Sequence, residues 1–152
     1  MKLYRIEKTR YANQWPFEGS LHSNGRWHRI GMWVIDTSQS ESLARSEVLV
    51  NANKIPKNRV LVIMEIDEKA SITNIPYDQL PGNWSKFPPP LQLAKITRKF
   101  LQQERHLALR VPSTQSLTEF NYLLNPAHPD FGRFVRKIGL MEINFDPSLG
   151  GK

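Results

Sequence analysis

The chain has 152 residues, a formal charge of +7 at pH 7, 39% hydrophobic residues and 23% charged residues. That length favours one domain with a sizeable core, and that balance excludes a disordered chain. Cysteine is absent, which excludes a disulfide framework, a zinc ribbon and a thiol nucleophile.

In chain order, KLYRI (2–6) alternates and carries β-favouring side chains, which predicts a short strand. Residues 10–31 are irregular, with Pro16, Gly19, Gly25 and Gly31. A loop of that length in a compact domain is functional or disordered, and Trp15, Phe17 and Trp27 argue for order. MWVID (32–36) predicts a second strand. The run Thr37-Ser38-Gln39-Ser40 then supplies cap residues, with Glu41 in the first turn of a helix over about 40–52.

RVLVIMEI (59–66) is apolar enough for a central strand. A long connection with LPGNW and three consecutive prolines follows (68–90). LQLAKITRKFLQQE (91–104) reads as an amphipathic helix, and HLALRV (106–111) as a strand that stops at Pro112. Residues 112–131 mix turn and short strand, RFVRKI suggests a helical turn, and LMEINFD (140–146) a final strand. The elements show no steady βαβ alternation. The expected class is α+β, one domain over 1–152 with a mixed or antiparallel sheet.

The N-terminus MKLYRIEKTR lacks the apolar run of a signal peptide, and no stretch reaches the ~18 apolar residues of a membrane span. A cytoplasmic location without membrane attachment is expected. The positive charge suits a polyanionic partner, but it equally suits a plain soluble basic surface. A basic nucleic-acid-binding module or ribonuclease-type toxin is the rival class, although no nucleic-acid fingerprint accompanies the charge.

One helix residue is out of place. On a helix at roughly 100° per residue, Leu43, Ala44, Val48 and Val50 share an arc, and Glu47 falls about 40° from Leu43. A carboxylate on a buried face costs several kcal/mol (roughly) unless it is paired or lines a cleft. Glu47 therefore needs either a structural ion pair or a ligand. The preceding Gly25-Arg26-Trp27 loop combines a flexible backbone, a guanidinium and an indole. These suit a phosphate and a flat ring, with Arg5 as a possible addition from the first strand.

The four histidines show no metal-ligand spacing, and no metal is expected. Phosphate-loop and serine-elbow motifs are absent. Ser113 alone reads as a turn hydroxyl, and His128 sits in a rigid NPAHPDF turn, structural or a general base.

Taken together, the ordered motifs resemble the RES domain family. They are YRI (4–6), NGRWHRIG (24–31), VIDTSQSESLARSEVLV (34–50), Leu80-Pro81 with Trp84, VPS (111–113), the NYLLNPAHPDF run (121–131) and FDPSL (145–149). The resemblance spans nearly the whole chain. It implies a fold similar to ADP-ribosyltransferase toxins and a role as the toxin of a bacterial type II toxin–antitoxin module. The implied partner is an antitoxin with an Xre-type or related DNA-binding domain, with no direct nucleic-acid binding. The implied substrate is NAD, degraded to ADP-ribose or its phosphate, or used to modify a protein target.

By motif position the resemblance implies catalytic roles for Arg26, Glu47 and Ser113. It implies NAD contacts from Arg5, Arg26, Trp27, Thr37 and Ser113. Asp36 stands where the family pattern has an aromatic, usually Tyr. It adds a second carboxylate near the cleft, joins the catalytic set, and tilts the expectation towards transfer to a protein.

Overall fold

The computed structural model describes residues 1–145. Seven strands form one mixed sheet: β1 (Lys2–Lys8), β2 (Ile35–Ser38), β3 (Arg59–Ile66), β4 (Ile72–Asn74), β5 (Ala108–Ser113), β6 (Ser116–Leu124) and β7 (Val135–Ile143). Their order is β4-β5-β6-β2-β1-β3-β7. All neighbours are antiparallel except β4 and β5. Three helices accompany them: α1 (Glu41–Val50), α2 (Leu91–Gln103) and the single turn α3 (Phe131–Phe134). The α+β expectation holds. No helix among the described residues is long and apolar enough to cross a membrane.

The two faces of the sheet bury different cores. One collects Leu3, Ile35, Val62, Met64, Leu124 and Val135 under the loop residues Ala12 and Phe17. Trp15 packs edge-on against Phe17 and tilted against Phe131, which orders the long loop as its aromatics suggested. The other core lies beneath α2, where Leu93 and Phe100 meet Trp27, Val34, Leu109, Val111 and Leu123. An amphipathic stripe on α2 is what closes it.

Several element boundaries differ from the sequence reading. The second strand begins at Ile35 rather than residue 32, because the Val34 amide is taken by the Ser20 hydroxyl at 2.9 Å and not by a ladder partner. The strand expected to stop at Pro112 runs on to Ser113, with its register broken between the two. The stretch after it forms the nine-residue β6. RFVRKI is divided: Phe134 closes α3 and Val135 opens β7, where eight paired positions on β3 override the local helical signal. Of FDPSL, residues 146–149 lie outside the described residues, as does the end of the strand predicted over 140–146.

The sheet has one weak seam. β1 pairs β3 at seven positions and β2 pairs β6 at four, but β1 and β2 are matched only at Tyr4 and Ser38. Beyond that point the two central strands part.

Candidate active site

The opening between β1 and β2 is a cleft of about 570 Å³, within the range of small-molecule sites. Tyr4 to Lys8 line it from β1, Asp36 and Ser38 from β2, Ala44, Glu47, Val48 and Asn51 from the helix end, and Ser23 and Arg59 from the rim.

Helix α1 carries Glu47 to this cleft. Ser40, with extended backbone angles, caps the helix by accepting the Leu43 amide at 3.1 Å, and its hydroxyl donates to Glu119 at 2.7 Å. Leu43 and Ala44 are buried while α1 packs on β1 and β2. The expected arc was one residue too wide: Val50, the last residue of α1, is 56% exposed. Glu47 remains half-buried on the inner side.

Two donors hold one oxygen of Glu47. Its Oε1 accepts the Ser113 hydroxyl at 2.5 Å and the Asn121 amide at 2.9 Å. Ser113 is oriented by the Gln115 amide, which donates to its Oγ at 2.9 Å. Asn121 is oriented by Ser38, whose hydroxyl donates to Oδ1 at 2.8 Å. Such bonds to a charged group contribute about 1.5–3 kcal/mol each. The ion pairs of the described residues join Arg5 to Glu7, Arg45 to Glu41 and Arg136 to Glu65, and Glu47 has no place among them. The structural ion-pair reading of Glu47 is thus replaced by a carboxylate fixed through neutral donors at a cleft wall.

Arg5 lines the cleft but is not a free cation. Its Nε and Nη2 donate to Glu7 Oε2 at 3.0 and 2.9 Å, a side-on pairing that Glu7 completes by accepting the Lys8 amide. Its Nη1 reaches the Asp36 backbone carbonyl at 2.9 Å. The parted strands leave that carbonyl without a ladder donor from β1, and the guanidinium supplies one. Three of five N–H donors are engaged, so two remain for an anion.

Arg26 sits in the expected loop but acts first as a tether. Its Nη1 donates to the Trp84 and Lys86 carbonyls at 2.8 and 2.9 Å, joining the NGRW and LPGNW motifs. Burial lowers its pKa from the ordinary value, and the charge of Glu47 raises it again in part. Arg26 and Glu47 are therefore in electrostatic reach without direct contact.

Two expected NAD contacts, Trp27 and Thr37, lie away from the cleft lining. Trp27 is 3% exposed within the core under α2, so its ring packs on protein and has no face for a ligand. Thr37 is 1% exposed, points away from the cleft residues Asp36 and Ser38 by strand alternation, and donates its hydroxyl to the Tyr122 carbonyl at 2.8 Å. Nor does His128 join the cleft lining: its Nδ1 accepts the Asp130 amide at 3.0 Å within the NPAHPDF turn.

Asp36 does line the cleft. Burial first, and the nearby charge of Glu47 second, push its carboxyl up to about 7, against the opposing effect of Arg5. Sequence reasoning gave no site role to Asn121, Glu7, Ser38, Arg59 or His28. Asn121 opened a motif already singled out, but its partner was invisible without the fold. His28 is buried beside Gly25, with no hydrogen-bond partner for Nδ1 among the described residues. Burial, then Arg5 and Arg29, lower its pKa to about 4, so the ring is neutral at pH 7.

Comparison with known proteins places this architecture. The chain is 34% identical over 151 residues to a protein named Toxin Res from Yersinia enterocolitica, covering 98% of this chain and 99% of the relative. It is 29% identical over 152 residues to a Toxin Res from Photorhabdus laumondii, with 98% and 97% covered. A Sphingobium protein named Prs ADP-ribosylating toxin is 32% identical over 127 residues, 81% of this chain and 79% of that one. A family model described as RES domain matches residues 2–146. With residues 2–146 matched by the family model and 98% of the chain aligned to the Yersinia relative, the chain belongs to the RES domain family.

Proposed function

We propose that this protein is the toxin of a toxin–antitoxin module and that it consumes NAD. It cleaves the nicotinamide–ribose bond and transfers ADP-ribose to a protein acceptor. The observation that carries this reading is Glu47, a cleft carboxylate fixed by Ser113 and Asn121 with no cation salt-bridged to it among the described residues. Departure of nicotinamide builds positive charge on the ribose, as in glycoside hydrolysis. A carboxylate held in place beforehand stabilises that charge without reorganising. The two unused donors of Arg5 and the rim cation Arg59 suit the pyrophosphate. Arg26 supports the loop beside them. The printed name of the Sphingobium relative speaks for ADP-ribosylation, and those of the other relatives for a toxin. A toxin requires a cognate antitoxin, here one with an Xre-type or related DNA-binding domain. The basic surface suits an acidic inhibitory segment.

The test is incubation with NAD labelled on the adenylate phosphate, with and without cell lysate. Label on a discrete protein band is the expected result, and Glu47→Gln abolishes it while the thermal melt stays cooperative. Label released only as ADP-ribose or its phosphate replaces transfer with NAD degradation. Intact NAD in every sample refutes the reading.

A further inference from the structure

The cleft holds two carboxylates in unlike circumstances. Glu47 has one oxygen saturated by two donors. For Asp36, the one side-chain hydrogen bond that the described residues make goes to its backbone carbonyl, from Arg5. Asp36 lines the cleft from β2, and among the described residues no side-chain donor is hydrogen-bonded to its carboxyl group. The charged groups around it are Glu47 on α1, Arg5 with its partner Glu7 and Lys8 on β1, and Arg59 at the start of β3. The strand on its other side places Leu123 opposite, which carries no charge.

We infer that Asp36 is the general base of the transfer step, and that the acceptor is therefore a proton-bearing nucleophile, a hydroxyl or a water, rather than phosphate. This rests on the NAD reading above. The carbon–nitrogen bond to nicotinamide breaks with its electron pair leaving on nicotinamide. The acceptor oxygen forms the new bond to the ribose carbon, and its proton passes to the Asp36 carboxylate. A phosphate dianion or another anion attacks with a lone pair and needs no base. Glu47, already tied to two donors, is the charge stabiliser, and the undonated Asp36 is free to take a proton. A carboxyl that titrates close to neutral pH matches that task.

The experiment compares wild type with Asp36→Asn, measuring nicotinamide release and products between pH 5 and 9, with and without sodium azide. Circular dichroism and a melt confirm that the variant is folded. The expected wild-type rate rises with pH through about 7. In Asp36→Asn that limb disappears, and transfer to water or hydroxyls falls roughly 100-fold or more. Azide then restores nicotinamide release in the variant with ADP-ribosyl azide as product. An unchanged rate and pH profile in the variant overturns the inference. So does a slow, folded variant that azide fails to rescue, since Asp36 then serves bond cleavage. Preferential formation of ADP-ribose phosphate by both proteins overturns the acceptor class. Wild type that leaves NAD intact with every acceptor removes the NAD reading itself, and the inference with it.

Discussion

At Asp36 the fold tolerates an electrostatic cost. The carboxyl titrates near 3.8 when exposed and at about 7 in the folded protein. Below the lower value it is protonated in both states and has no effect. As pH rises between the two, the unfolded chain loses the proton first and stability falls; above about 7 the full cost is present. Asp36→Asn should therefore raise stability by about 2 kcal/mol at pH 8, a figure reduced from the full shift because the group faces an open cleft. The gain should fade near pH 4, and urea unfolding at both pH values checks it. Glu47, by contrast, is held by two hydrogen-bond donors. Ser113→Ala and Asn121→Ala each remove one donor from the same oxygen. Each should cost about 1.5–3 kcal/mol, with a coupling of roughly 0.5 kcal/mol or more in a double-mutant cycle. On the proposed function, each should also lower NAD turnover about 10-fold or more by freeing the carboxylate.

Among the elements, the 24–31 loop and α1 show how local rules and contacts divide the work. Gly31 sits at φ +93, where a side chain is strained, and ends the loop. Gly25 is required for a different reason: a Cβ there would lie 2.5 Å from Nε2 and 2.9 Å from Cδ2 of His28. Gly25→Ala should destabilise the fold by about 1–3 kcal/mol, and His28→Ala in that background should recover part of it, as read by thermal denaturation. Trp27→Ala should cost about 3–5 kcal/mol, because the ring is a core member under α2 rather than a ligand platform. For α1, Ser40→Ala removes the cap and should cost about 1 kcal/mol. The cap and the inward face of α1 were legible in sequence because they depend on neighbours within four residues. The extent of β6 and β7 was not, since those strands are stabilised by partners far along the chain.

Across the whole molecule, function follows from where the sheet opens. A single matched pair joins β1 to β2, and that seam creates the cleft, frees the Asp36 carbonyl for Arg5, and sets α1 over the gap. The sequence alone determined the α+β class, the strand at 59–66, a helix starting at Leu91, the family resemblance and the suspicion that Glu47 is special. Composition, periodicity and ordered motifs are properties of the chain itself, so these needed no fold. Only the tertiary structure decided who meets whom. It joined Glu47 to residues 66 and 74 positions away, set Arg5 against the Asp36 carbonyl, spent one guanidinium nitrogen of Arg26 on two carbonyls, and buried Trp27 and Thr37. The physical reason is that a side chain's type fixes what it can bond, whereas long-range pairing across the sheet fixes which partner is within 3 Å and whether water can reach it.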